Sequence, residues 1–224
     1  MTDAATPKVA TLRNLAHSRF MDSLKQGELR PAQLVSQREL CAMLDVPMGP
    51  MREALKRLEG DGIVTLIPQR GVQILHIDEK TINDAFQMRL MVEIEAVRAF
   101  TAGGDKAVAA DLRRRTEAAR QGDTAHSPLD LSEINARTAL DHEMHRLFVS
   151  ALVNDFADDL FEKVLDRLQL SRLVFRLRNY TDRRAIKEHL DILDHVNAGD
   201  VEGAAEAMEV HLKASWNRAL GLAD

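Results

Sequence analysis

A single β-hairpin pattern, set between two stretches of helical periodicity, constrains this chain more than any other feature. Residues 63–67 (IVTLI) and 72–77 (VQILHI) are short apolar runs, separated by Pro68-Gln69-Arg70-Gly71. Such runs around a glycine-containing turn read as a hairpin, with Gly71 free to take a positive φ. Upstream, Val9, Leu12, Leu15, Ala16, Phe20 and Leu24 recur at helical spacing, and Gly27 ends the pattern. Ser36 stands three residues before Glu39, the spacing of a capping box, which predicts a second helix over residues 37–44. The stretch 45–50 (DVPMGP) breaks that helix, and Pro50 falls in the first turn of a third one reaching about residue 59. Three helices followed by a hairpin is the order of a winged helix-turn-helix, expected here in residues 1–77.

From residue 78 the periodicity is helical to the end of the sequence. It predicts helices over about 78–102, 105–121, 131–151, 155–178, 182–198 and 200–220, with a loop at 123–130 around Pro128. Six helices with short connections make an antiparallel bundle. The expected fold class is therefore mainly α: a winged helix-turn-helix, then an all-helical antiparallel bundle in residues 78–224. A chain of 224 residues has room for two such cores. No apolar run approaches the ~20 residues that span a bilayer, and the start of the chain lacks a secretory pattern. The cytoplasm is the expected compartment. The single cysteine, Cys41, excludes an internal disulfide, and its setting in SQRELCAML predicts a buried small side chain.

Charge separates the two halves. Residues 1–77 hold ten Lys or Arg against eight Asp or Glu, whereas residues 78–224 hold twenty against 27. A net charge of -5 speaks against a chain coated in nucleic acid, so any DNA contact belongs to the first segment. DNA affinity comes largely from phosphates, and sequence is read at base edges in the major groove. Arg52 lies in the first turn of the third helix, Lys56 one turn later, and Arg38 at the start of the helix that crosses the backbone. Arg70 stands at the wing tip, where a cation enters the minor groove or touches phosphate. Gly49 lets the helix start approach DNA closely, and Gly71 shapes the wing. A solvated surface charge is the competing reading for each of these cations. One winged helix reads only a few base pairs, so a homodimer on palindromic operator DNA is expected.

The second half carries a metal-ligand pattern. Asp141 and His145, four residues apart, differ by roughly 40° around a helix and share a face. His189 lies ten residues before Gly199, and His211 lies eleven after Asp200. If those helices form an antiparallel hairpin, both histidines stand ~15 Å from its turn and side by side. Three histidines and one aspartate suit zinc, nickel or another first-row divalent ion. Taken alone, Asp-x-x-x-His reads equally as a buried, hydrogen-bonded histidine. Such a set could activate water, which makes a metallohydrolase fused to a DNA-binding domain one alternative. Against it, Glu143 points away from the face shared by Asp141 and His145. A purely structural metal, or one that is itself the signal, is another alternative. His17, His76, His126, His142 and His195 carry no assigned role.

Arg38-Glu39-Leu40, the run from Pro50 to Glu59 (PMREALKRLE), Asp61-Gly62-Ile63-Val64 and Arg70-Gly71-Val72 are similar to the DNA-binding pattern of the GntR superfamily of bacterial regulators. Asp141-His142-Glu143-Met144-His145, Glu188-His189, and Gly199-Asp200 through Met208 to His211 resemble the metal motif of its FadR-type branch, which carries an FCD ligand-binding domain. The resemblance implies a transcription regulator and not an enzyme, a repressor as in most relatives, controlled by a small carboxylate effector bound beside the metal. It places Arg38 and Arg52 on DNA and Arg89 on the effector side, with Asn154 and Arg172 as further effector-binding candidates. By spacing alone, Arg89 reads equally as a salt bridge with Glu93 at i+4. The chain departs from the pattern at Pro47-Met48, where the family usually has Ser or Thr followed by Arg. One frequent DNA-contacting arginine is therefore missing.

Overall fold

A computed structural model describes residues 6–121, 131–174 and 183–222. The first helix, α1 (Thr6–Gln26), leads through the short strand β1 (Leu34–Val35) into α2 (Gln37–Leu44). Ser36 opens α2 as its spacing requires: its Oγ accepts from Glu39 N at 3.2 Å, and Glu39 Oε2 accepts from Ser36 N at 2.8 Å. Each side chain satisfies an amide that the first helical turn leaves without a partner. At the other end, Arg19 of α1 donates to the carbonyls of Leu44 (2.8 Å) and Asp45 (2.6 Å), which lack helical donors.

The third helix, α3 (Met48–Gly60), starts two residues before Pro50, with Pro47 at its N-cap and no side-chain capping bond. Pro50 sits in the first turn, where its missing N–H costs no helical hydrogen bond. Met51, Ala54, Leu55 and Leu58 recur at helical spacing and are buried, and α3 packs on both α1 and α2. The hairpin follows as β2 (Val64–Ile67) and β3 (Gly71–Ile74), with Val64 opposite Ile74 and Ile67 opposite Gly71. Its turn pairs Arg70 N with Ile67 O at 3.0 Å, and Gln69 at the third position has φ 62°, as a type II turn with Pro at the second position needs.

Three details differ from the sequence expectation. β3 ends at Ile74 and does not continue to Ile77, and β1, too short to show any alternation, pairs antiparallel with β3 to give the sheet order β1-β3-β2. Cys41 is half-buried and not buried, its Sγ 3.9 Å from Met48 Sδ. Gly71 has φ 127°, and a Cβ there would lie 2.5 Å from Val35 O. Its lack of a side chain is thus required by the approach of β1, whatever it does at DNA.

The remaining described helices are α4 (Glu79–Gly103), α5 (Lys106–Gln121), α6 (Leu131–Ser150), α7 (Asp155–Val174), α8 (Arg183–Ala198) and α9 (Val201–Ala219). The loop expected at 123–130 lies outside the described residues. Contacts group the chain into two compact units, Met1–Thr81 with Asp166–Arg176, and Ile82–Leu165 with Leu177–Asp224. The second unit is cored by residues such as Val97, Phe100, Phe148, Ile192, Met208 and Leu212, with the Phe100 and Phe148 rings tilted at 5.3 Å. α8 turns back into α9 through a Schellman motif: Asp200 N bonds to His195 O and Gly199 N to Val196 O, with Gly199 at φ 74°. Asp200 then caps α9 by accepting from Gly203 N at 3.1 Å. Among the described residues no helix is long and apolar enough to cross a membrane.

Gly71→Ala combines an unfavourable φ with a clash against backbone. It should cost about 2 kcal/mol or more, read as a lower midpoint in urea denaturation, whereas Gly49→Ala, whose Cβ would meet nothing within 4 Å, should leave that midpoint nearly unchanged.

Candidate metal centre

The buried face of α4 reads Ile82, Ala85, Phe86, Arg89, Glu93, Ala96, Val97 and Phe100. Two charged side chains therefore stand on a face built for a core, and both must find partners there. Arg89 and Glu93 pair with each other, Nε to Oε1 at 2.5 Å, and both meet His145, one of three histidines that other helices bring together. α6 supplies Asp141 and His145, α8 supplies His189 and α9 supplies His211, and the ligand atoms of these four residues all lie within 4.8 Å of one another. His189 Nε2 is 3.2 Å from Asp141 Oδ1 and 3.3 Å from His211 Nε2, and His145 Nε2 is 3.6 Å from Asp141 Oδ1.

Those separations suit a shared ion: two donors each ~2.1 Å from one metal at near-tetrahedral angles stand ~3.4 Å apart. The helical hairpin explains how residues 22 positions apart in sequence, His189 and His211, come into contact. Their rings meet edge to face at 4.5 Å, and His145 stacks on His211 at 5.3 Å. All three histidines are buried, while the Asp141 side chain is 22% exposed.

Electrostatics favour the ligand forms of Asp141 and His211. Burial opposes the charge of Asp141, but hydrogen bonds from His145 and His189 hold its carboxyl well below the usual range. Burial and the neighbouring His189 push His211 down to about 3, so it is neutral near pH 7 and its ring offers a lone pair. For His145, burial lowers the pKa, but the Glu93 carboxylate and the hydrogen bonds to Glu93 and Asp141 together outweigh it, and the net shift is upward, toward the protonated ring.

Other expected site residues fall in varied places. Arg38, Arg52, Lys56 and Arg70 are all exposed, with Arg52 Nε 3.4 Å from Gln37 Oε1 and Lys56 Nζ 3.2 Å from Glu53 Oε1. Gly49 is exposed, in open space at the start of α3. Arg89 is the i+4 partner of Glu93, and its Nη2 also stands 3.2 Å from His145 Nε2. Asn154 is exposed, and its Oδ1 accepts from Phe156 N (3.0 Å) and Ala157 N (3.3 Å), so opening α7 accounts for it. The Arg172 side chain lies outside the described residues. Glu143 is exposed and held by both guanidinium branches of Arg115. His195, without a role by sequence, bonds Asp200 at 2.8 Å beside the hairpin turn.

Sequence reasoning named Glu93 as a partner of Arg89 and Glu188 in the Glu188-His189 motif, but not the contact of either with a histidine. Glu93 pairs with His145 Nδ1, and Glu188 Oε2 accepts from His211 Nδ1 at 2.8 Å. Glu93 had a legible signal, a charge on the apolar stripe of α4. Glu188 sits at the half-buried edge of α8, where periodicity predicts nothing.

The FCD domain family matches residues 84–214, and the family of bacterial regulatory proteins named gntR matches residues 16–74. An HTH-type transcriptional regulator from an unstable DNA locus of Streptomyces ambofaciens is 30% identical over 190 residues, spanning 85% of this chain and 77% of its own length. A GntR transcriptional regulator from Rhodococcus sp. RHA1 has the same fold, with a TM-score of 0.72, 23% identity, and coverage of 98% of this chain and 100% of that one. The Zn2+-bound FCD domain of the transcriptional regulator TM0439 superimposes with a TM-score of 0.50 and 24% identity, covering 65% of this chain and 95% of that one.

The depressed His211 has a definite sign in metal-free protein. Its folded pKa of about 3 lies below the ordinary 6.5, so the unfolded chain binds the proton first and stability falls as pH drops from about 6.5 toward 3. The raised His145 acts oppositely, its contribution being full below pH 6.5 and lost as pH rises through its folded value. Urea denaturation of chelator-treated protein between pH 7 and 4 should therefore show a shallower acid-side loss for His211→Asn than for the unaltered chain.

Proposed function

The chain belongs to the GntR family of bacterial regulatory proteins and carries an FCD domain, and from that premise we propose that it is a cytoplasmic repressor whose hold on operator DNA is set by a small organic acid bound beside a divalent metal. That it is a DNA-binding transcriptional regulator, as its families and relatives are, is the common ground. Residues 1–77 bind DNA and residues 78–224 bind the metal and the acid and hold the homodimer together.

The observation that supports the metal is the convergence of Asp141, His145, His189 and His211 on one another from three helices. A donor set of three imidazoles and one carboxylate, without thiolates, favours zinc or another first-row divalent ion. Zinc is the first choice, since the TM0439 domain is a Zn2+-bound one. When bound, the metal supplies a Lewis-acidic position for one oxygen of a carboxylate. Arg89, buried and close to His145 Nε2, holds a fixed positive charge beside that position and orients the acid. Glu143, tied to Arg115, is not placed to act as a general base, in keeping with a sensor.

At the other end, Arg52 and Arg38 are exposed on consecutive helices of the helix-turn-helix and reach base edges and phosphate, with Lys56 and Arg70 adding phosphate contacts. Gly49, without a side chain, keeps the start of α3 clear for DNA, and Gly71 holds the wing in shape. Acid binding favours one of two arrangements of the regulator and so changes operator affinity.

Metal analysis of the purified chain should find close to one divalent ion per protomer, lost in Asp141→Asn and His189→Ala. In gel-shift assays on a two-half operator, carboxylic acids should weaken DNA binding by unaltered protein but not by the metal-free variants. Arg52→Ala should lower DNA affinity about tenfold or more while leaving metal content unchanged. An acid response that survives complete chelation would sink the metal-assisted sensor and leave a structural ion.

A further inference from the structure

Beyond the four candidate ligands, two of their rings are each held from behind by a carboxylate that is itself clamped by an arginine. On α8 and α9, Arg218 donates to both oxygens of Glu188 (2.8 and 2.7 Å), and Glu188 Oε2 stands 2.8 Å from His211 Nδ1. On α4 and α6, Arg89 donates to both oxygens of Glu93 (2.5 and 3.3 Å), and Glu93 Oε2 meets His145 Nδ1. The same order, arginine to glutamate to histidine, is thus built twice from unrelated stretches of sequence.

The chemistry of these contacts fixes where the protons sit. An ionised carboxylate only accepts hydrogen bonds, so the proton between Glu188 and His211 belongs to Nδ1. A neutral ring with Nδ1–H has its lone pair on Nε2, and His211 Nε2 is the atom that faces His189. His145 repeats this arrangement: Nδ1 is turned to Glu93, while Nε2 is turned to Asp141. The arginines keep each glutamate charged and engaged, so neither carboxylate is free to rotate inward and compete as a ligand. Hydrogen bonding of this kind sets the tautomer and the ring plane of a metal-binding histidine and raises its basicity.

We propose that Glu188, clamped by Arg218, is a positioning residue of the metal centre that locks His211 in its Nδ1–H tautomer, and that Glu93, clamped by Arg89, does the same for His145. The proposal rests on the metal reading above, and its test separates the two. Zinc affinity of the full chain is measured by competition with a chromophoric chelator, and the His211 tautomer by 15N-resolved NMR of zinc-free protein. The unaltered chain should show His211 as Nδ1–H. Glu188→Ala should weaken zinc binding by about tenfold to 100-fold and convert His211 to a mixture or to Nε2–H. Glu188→Gln keeps the volume and an acceptor oxygen, so it should recover part of both effects, and it provides the measurement if Glu188→Ala does not fold.

His211 in the Nε2–H form in unaltered protein, or zinc affinities within twofold of it in both variants, would overturn the proposal. A chain that binds neither zinc nor another first-row divalent ion refutes the metal reading instead, and the tautomer measurement then decides the role of Glu188 by itself.

Discussion

Burying charge is the constraint on which the second unit depends. Glu93 is wholly buried and Arg89 nearly so, and three imidazoles are closed in with them. An ionised group moved into such an interior without a partner costs several kcal/mol, more than a typical single contact returns. The structure meets this by chaining charges: Arg89 to Glu93, Glu93 to His145, and His145 with His189 to Asp141. Each link comes from a different turn of helix, so α4, α6, α8 and α9 can satisfy the chain in only one register. The Schellman turn at Gly199 and the Asp200 cap matter for this reason, because a slip by one residue would rotate His211 by roughly 100° away from His189.

The first unit solves an opposite problem, since its candidate DNA-contacting side chains stand in water. Arg38, Arg52, Lys56 and Arg70 are exposed, with surface contacts such as Arg52 to Gln37 and Lys56 to Glu53. Their positions are set from beneath, by Leu40, Met51, Leu55 and Leu58 in the shared core and by the capping box of α2. The wing depends on one backbone approach, Gly71 beneath Val35 O. Pro47 is a weak start for α3, giving the helix no side-chain acceptor. The chain thus departs at this turn from the Ser or Thr followed by Arg that the family pattern usually has, and α3 starts without a side-chain cap.

Much of this was legible in the sequence, and the exceptions have physical causes. The capping box named the start of α2 because its two hydrogen bonds require only local spacing. The hairpin of α8 and α9 followed from arithmetic around Gly199-Asp200, since helical rise converts residue counts directly into distance. β1 was invisible because two residues have no period, and its pairing is decided by β3, 36 or more positions away. α3 was expected with Pro50 in its first turn and has it there, yet its start at Met48 could not be read, because a proline N-cap leaves no side-chain signature. Arg89 was left between two roles, and of these the structure shows the salt bridge with Glu93. The contacts of Glu93 and Glu188 with the histidines escaped notice for a related reason: motif spacing identifies atoms that converge on one point, whereas the groups behind those atoms approach from any helix nearby.

Counting charge across the whole assembly then says something about what the centre can accept. Asp141, Glu93 and Glu188 contribute three negative charges, and Arg89 and Arg218 two positive ones, with Glu93 and Glu188 both held down to about 2. Burial opposes both carboxylates, but each is outweighed by its arginine and histidine partners. With neutral histidines these groups sum to one negative charge, and a divalent ion turns that into one positive charge. A positive remainder in a partly enclosed site attracts an anion. The open side of the cluster is the side of Asp141, whose side chain alone among the four ligands keeps appreciable contact with water. On the reading proposed above, one carboxylate bound beside the metal would bring the assembly to neutrality. The clamped glutamates are thus what makes the account balance: without them the bound ion would leave three positive charges, an excess that a single small acid could not offset.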